Sequence, residues 1–322
     1  MKKATVILLV LALVMLILGS ALVLVPIAKS GWDFSKLESN RYQTKTHEIT
    51  DDFTNIYIDI QTADVAVLPS SDGGVRVVSH ERINATNEVK VQEDTLSIAL
   101  SDHTEWYDRI SLFGFGEPSI TIYLPVGDYE ALSISLTTGD VSLASEFTFS
   151  SIDIDGTTGD IEVMASTTGK LSIHLSTGDA ELTNVSASEI VIKGGAGEIE
   201  LENISCKGAI TLQNTTGEVS LSGVSAYSLS MHSTTGDLEM DRVTIADALL
   251  VEATTGGVSF RKLDAASIRI ETGTGDVTGS VCKPMSFSAS STSGDIRVPS
   301  PEAGGTCQVK TTTGDIYITV AP

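Results

Sequence analysis

The chain has 322 residues with 42 acidic against 20 basic side chains, a formal charge of −22. A polyanionic body excludes nucleic acid as a partner, because phosphate binding needs clustered Lys and Arg. A hydrophobic content of 41% is enough for a core and excludes wholesale disorder, while three Cys exclude a disulfide-dense mini-scaffold.

Ala4 to Val25 is an uncharged run of 22 residues preceded by Lys2 and Lys3. At about 1.5 Å per residue it is long enough, as a helix, to span the ~30 Å hydrocarbon layer. The two lysines stay cytoplasmic, so the following body is expected outside the cell membrane. The run exceeds the roughly 7–15 residues of a signal-peptide core. Pro26-Ile27-Ala28 is also a poor cleavage site, so residues 1–30 are predicted to be an uncleaved single-pass anchor. Residues 31–50 are polar and aperiodic and read as a stalk.

Residues 51–130 read as an amino-terminal β cap. Asn55–Ile60 and Ala63–Val67 resemble one degenerate coil of the repeat that occupies the rest of the chain. Val75–Val78, Val89–Val91, Leu96–Leu100 and Ile120–Leu124 are expected as antiparallel strands, with a hairpin turn at Asp72-Gly73-Gly74. Within this block Trp106, Tyr107, Phe113 and Phe115 share a loop with Gly114 and Gly116. Such aromatics either fold back over the cap or present a contact to a protein, glycan or lipid headgroup.

From residue 131 to 322 one motif governs the chain. Thr-Thr-Gly-Asp and close variants recur with glycine at 139, 159, 178, 197, 217, 236, 256, 275, 294 and 314, always 19 or 20 residues apart. Apolar residues stand seven and five positions before each glycine, as at Leu171 and Ile173, and two and four after it, as at Ala180 and Leu182, with Gly279 the exception at the last position. Within each segment the period is two, so each is a strand with one buried face. The parity breaks at the glycine, where the chain must turn. A third apolar position falls seven after the glycine, from Val185 to Cys282. The fold class expected is all-β: a single-stranded β-solenoid of about ten coils of 19–20 residues with an amino-terminal cap. Stacked at about 4.8 Å, ten coils make a rod roughly 48 Å long.

The anchor, the Ile-Thr-Ile-Tyr-Leu-Pro segment at Ile120–Pro125 and the repeated Thr-Thr-Gly-Asp together resemble the bacterial putative-adhesin family. That resemblance covers roughly residues 50–322. It implies a β-solenoid envelope protein, without catalytic residues to carry over; some relatives resemble products of envelope-stress operons.

Nine of the ten residues that follow the glycines are acidic, among them Asp140, Asp160, Asp179, Asp237, Asp276, Asp295 and Asp315. If the coils are in register these carboxylates stack about 4.8 Å apart, at a repulsion of about 0.9 kcal/mol per pair in bulk water. One reading makes them acceptors for turn amides; the other makes them a ladder for Ca²⁺, the one cofactor the sequence suggests. Cys282 and Cys307 both fall in inward columns one coil apart, where they are either a disulfide or two small core residues. Cys206 lies outside those columns. His174 and His232 share an outward column three coils apart, too far for one zinc ion.

Nearly constant spacing leaves no room for loops that wall a cleft, and no nucleophile elbow, phosphate loop or metal-ligand motif occurs. An enzyme by analogy with polysaccharide-cleaving β-helices is therefore rejected. The expectation is a non-catalytic, membrane-anchored extracytoplasmic rod for adhesion or for binding an envelope protein or glycan. A sensing and scaffolding role at the envelope is the alternative. No cap is seen after Gly314, so an open strand edge is expected at that end.

Overall fold

The structure, a computed structural model, describes Met15 and residues 42–83, 85–101 and 117–321. Among the described residues no helix is long and apolar enough to cross a membrane; apart from Met15, the expected anchor lies outside them. Beyond Met15 the described chain is strands, turns and bends.

Each coil has three short sides. Lys170–Thr177 lies parallel to Glu189–Ala196, with Leu171 opposite Ile190 and Ile173 opposite Ile192. After the glycine corner Ala180–Thr183 pairs with Ile199–Glu202, and then Ser186–Ala187 pairs with Ser205–Cys206. Residues of one column therefore stack on their equivalents in the next coil. Leu171, Ile173, Leu182 and Val185 are all at most 1% exposed, so the core is a continuous apolar thread. Full burial of each such side chain contributes roughly 1.5–3 kcal/mol.

The glycine corner is enforced twice. Gly178 has φ +127°, and a Cβ built on it would lie 2.0 Å from the carbonyl oxygen of Gly159 in the preceding coil. A side chain would thus meet both backbone strain and a backbone clash. A second left-handed corner, six residues after the glycine, carries Asn184, Asn203, Gly223, Arg242 and Lys262 with φ between 52° and 66°.

The first coil is β2 (Asn55–Thr62) and β3 (Asp64–Pro69), with Ala63 at the corner. It stacks on β8 (Gly127–Thr138) and β9 (Val141–Leu143), so the degenerate coil read from the sequence is a true layer. The remaining strands are β1 (Tyr42–Ile49), β4 (Val75–Arg82), β5 (Asn87–Gln92), β6 (Thr95–Leu100) and β7 (Ser119–Leu124). Three expectations are corrected here. β6 and β7 are not antiparallel on both sides: each runs antiparallel to one neighbour, β5 or β4, but parallel to β2 or β3 on the other, and together they form a further layer outside β2 and β3. The antiparallel pairs here are β1 with β4, β4 with β7, and β5 with β6. The Asp72–Gly74 turn consequently joins strands that are not neighbours, because β7 lies between β3 and β4. Residues 42–49, read as stalk, are the strand β1.

The other end departs from sequence order. Val258–Thr274 pairs with Gly305–Thr313, not with Met285–Ser293, and Val277–Val281 pairs with Ile316–Val320. Met285–Ser293 and Ile296–Arg297 then pair on the far side of that last stretch. The corner glycines thus stack as Gly275, Gly314, Gly294. Apolar content explains the exchange. The inserted coil buries Cys307, Val309, Ile316 and Ile318 to 3% exposure or less. The coil left outermost has a half-buried Ala289 and leaves Ile296 43% exposed. Pro284, Pro299 and Pro301 flank that outer coil, and proline lacks the N–H an edge needs for pairing. The bare edge expected after Gly314 is therefore replaced by an out-of-order coil with proline at its ends.

Candidate functional site: the outer columns of the rod

Between the two corners the short ladder turns its alternate side chains outward. Glu162, Glu181 and Glu200 stand directly opposite one another there, and Glu239 follows after Ser220. Beside them runs the column after the glycines: Asp140, Asp160, Asp179, Glu198, Glu218 and Asp237, all exposed. One side of the rod is thus a sheet of carboxylates fixed in register. Glu218 records the crowding: partial desolvation first, then the charges of Glu239, Glu198, Asp237 and Glu200, raise its carboxyl above the ordinary value. At the margin Asp241 is held low instead, chiefly by its hydrogen bond from Arg261 Nε at 2.6 Å, and Arg242 pairs with it too.

The aspartates also have a local task. The backbone N–H of Asp160 donates to Asp140 Oδ1 at 2.8 Å, that of Asp179 to Asp160 Oδ1 at 2.9 Å, and that of Glu198 to Asp179 Oδ1 at 2.7 Å. The series continues from Gly257 N–H to Asp237, from Asp315 N–H to Asp276, and from Asp295 N–H to Asp315, in the exchanged order of the last coils. Each of these carboxylates thereby caps a corner amide of the next coil through Oδ1.

Of the other residues singled out in the sequence, Trp106, Tyr107, Phe113 and Phe115 lie outside the described residues. The disulfide is corrected: Cys206, Cys282 and Cys307 are all free. Cys307 is buried, but Cys282 is exposed because the chain leaves its layer there to step past the inserted coil, and Val281 takes the inward place. Burial pushes the Cys307 thiol up to about 12, so it stays protonated. Cys206 is buried as well, in an inward column shared with Ala187, Ala226, Ile245 and Ala265, nine residues after the glycines. The alternation of small and apolar residues in that column was the signal for it. His174 and His232 each face a carboxylate in the adjacent coil: His174 Nδ1 is 3.1 Å from Asp155 Oδ1, and His232 Nδ1 is 3.4 Å from Glu252 Oε2.

Three parallel ladders around a largely apolar thread, with the charged columns turned outward and one inward column holding Asn214, Ser233, Thr272 and Thr311, define a β-solenoid whose repetitive surface is its largest feature. The chain belongs to the Toastrack DUF4097 family, which matches residues 53–213 and 208–321. Among solved structures it is similar to a putative adhesin from Parabacteroides merdae ATCC 43184, at 14% identity over 87% of this chain and 96% of that one, with a TM-score of 0.49. It is also similar to a putative adhesin from Parabacteroides distasonis ATCC 8503, at 16% identity, 86% and 97% coverage and a TM-score of 0.45. A putative lipid binding protein from the same organism gives 14% identity, 88% and 98% coverage and a TM-score of 0.45. None of the curated proteins matches the chain in sequence.

Proposed function

We propose that the protein is a non-catalytic rod, anchored in the cell membrane through residues 4–25, whose extracytoplasmic acidic face binds a cationic partner at the envelope. The observation that carries this reading is the registered sheet of carboxylates: Glu162, Glu181 and Glu200 in one column beside Asp160, Asp179 and Glu198 in the next. Aligned like charges on a rigid frame lose little side-chain freedom on binding and act together, so modest contacts multiply. Ca²⁺ is a second cation suited to the face, through the carboxylate oxygens that the corner amides leave free.

The test uses the full chain, solubilised in detergent and immobilised, against an envelope extract. The reading expects retention of a basic component that falls with salt and is lost when Glu162, Glu181 and Glu200 are changed together to Gln. Retention indifferent to both changes would overturn it. So would substrate turnover abolished by a single carboxylate substitution. Melting with Ca²⁺ and then with chelator checks the cation: a reversible rise supports binding, and an unchanged midpoint removes it.

A further inference from the structure

We propose that Asp153, Asp155 and His174 form a binding site for a borderline divalent metal ion of the zinc class, on the long side of the rod away from the acidic ladder. Asp153 and Asp155 are two residues apart on one strand, Phe147–Thr158, so both project outward. The parallel strand Lys170–Thr177 lies alongside with His174 directly opposite Asp155. Three ligand-bearing side chains thus leave backbone positions that the stack holds rigid. Their ligand atoms, one from each residue, all lie within 4.8 Å of one another. In a tetrahedral zinc site with bonds near 2.1 Å, neighbouring donor atoms stand about 3.4 Å apart. Rotation of these solvent-facing side chains closes the difference without moving a strand.

Charge and donor type agree with the geometry. Among the described residues neither Asp153 nor Asp155 has a Lys or Arg ion pair; the one contact of this kind is that of Asp155 with His174. Two neighbouring carboxylates with no Lys or Arg in ion-pair contact favour taking a cation up; the nearest lysine along the ladder, Lys193, stands opposite His174 one coil further on. One imidazole nitrogen with two carboxylates is a borderline donor set, whereas Ca²⁺ prefers six to eight oxygens. Water completes the coordination on the open side. The other histidine of the column supplies a contrast: beyond His232 and Glu252 the next carboxylate, Glu271, is already engaged by Arg269 at 2.6 Å.

Calorimetric titration of the metal-stripped full chain with Zn²⁺ at physiological salt tests the site, in a Cys282→Ser background so that the exposed thiol does not compete. One saturable equivalent is expected. His174→Ala and Asp153→Asn should each weaken it beyond the roughly 10- to 100-fold that follows loss of a residue merely supporting a ligand. His232→Ala and Glu162→Gln should leave it unchanged, and all four variants should remain folded at the titration temperature because these side chains lie outside the core. Uptake that survives His174→Ala, or that Glu162→Gln weakens equally, assigns the metal to the general polyanionic surface and overturns the site. Absence of saturable uptake overturns it too.

Discussion

Replacing Asp179 by Ala strips the acceptor from the Glu198 backbone N–H, while Asp179→Asn keeps an oxygen at the same place. The corner is exposed and water can substitute in part, so the Ala variant should lose about 0.5–1 kcal/mol and the Asn variant almost nothing. Urea midpoints separate the two; equal losses would show that charge, not hydrogen bonding, keeps aspartate there. The neighbouring glycine column is far less tolerant. Gly236 has φ +137° and a Cβ on it would lie 2.0 Å from Gly217 O, whereas the nearest atom to a Cβ on Gly257 is 3.5 Å away. Gly236→Ala should therefore cost several kcal/mol of stability in strain and local rearrangement, read as a sharp fall in melting temperature, and Gly257→Ala should be close to neutral. A mild effect at Gly236 would mean that the coils can spread at this corner.

The coil is the unit that was legible in the sequence, because an in-register stack makes every position answer to the same environment. Leu171, Ile190 and Ile210 repeat because each fills the same slot one layer on. Layer order was not legible for the same reason: an inward pattern common to all coils does not say which coil is its neighbour. The clue to the exchange near the carboxy terminus was compositional, in Ala289 at an inward position and in the flanking prolines. Likewise the meeting of Asp155 with His174 depends on alignment across coils, and comparing His174 only with His232 in the same column missed it. Amide hydrogen exchange tests the exchanged order. Residues 306–313 lie between two layers and should exchange more slowly than 286–293, which lie at the end. Layers stacked in sequence order would reverse that ranking.

The whole rod must hold its carboxylates together against their mutual repulsion, and Glu218 is where this is most visible. Its folded-state carboxyl is raised, by desolvation first and then by four neighbouring carboxylates, above the ordinary value of 4.5. The folded state therefore holds this proton more firmly than the unfolded chain does. Its contribution to stability is greatest below 4.5 and declines as pH rises through the raised value. Asp72 has the opposite sign: hydrogen bonds from Ser70 and Gly74 lower it to about 2, so its contribution is complete above 3.8 and is lost as pH falls toward 2. Glu218→Gln removes only the first of these. At pH 7 and low salt the variant should melt above the parent, and the gap should close as pH falls below 4.5. It should also narrow at about 1 M salt, where the screening length drops to about 3 Å. A gap that persists at acid pH or high salt would assign the gain to packing of the amide, and the strain borne by the acidic face would lose its support.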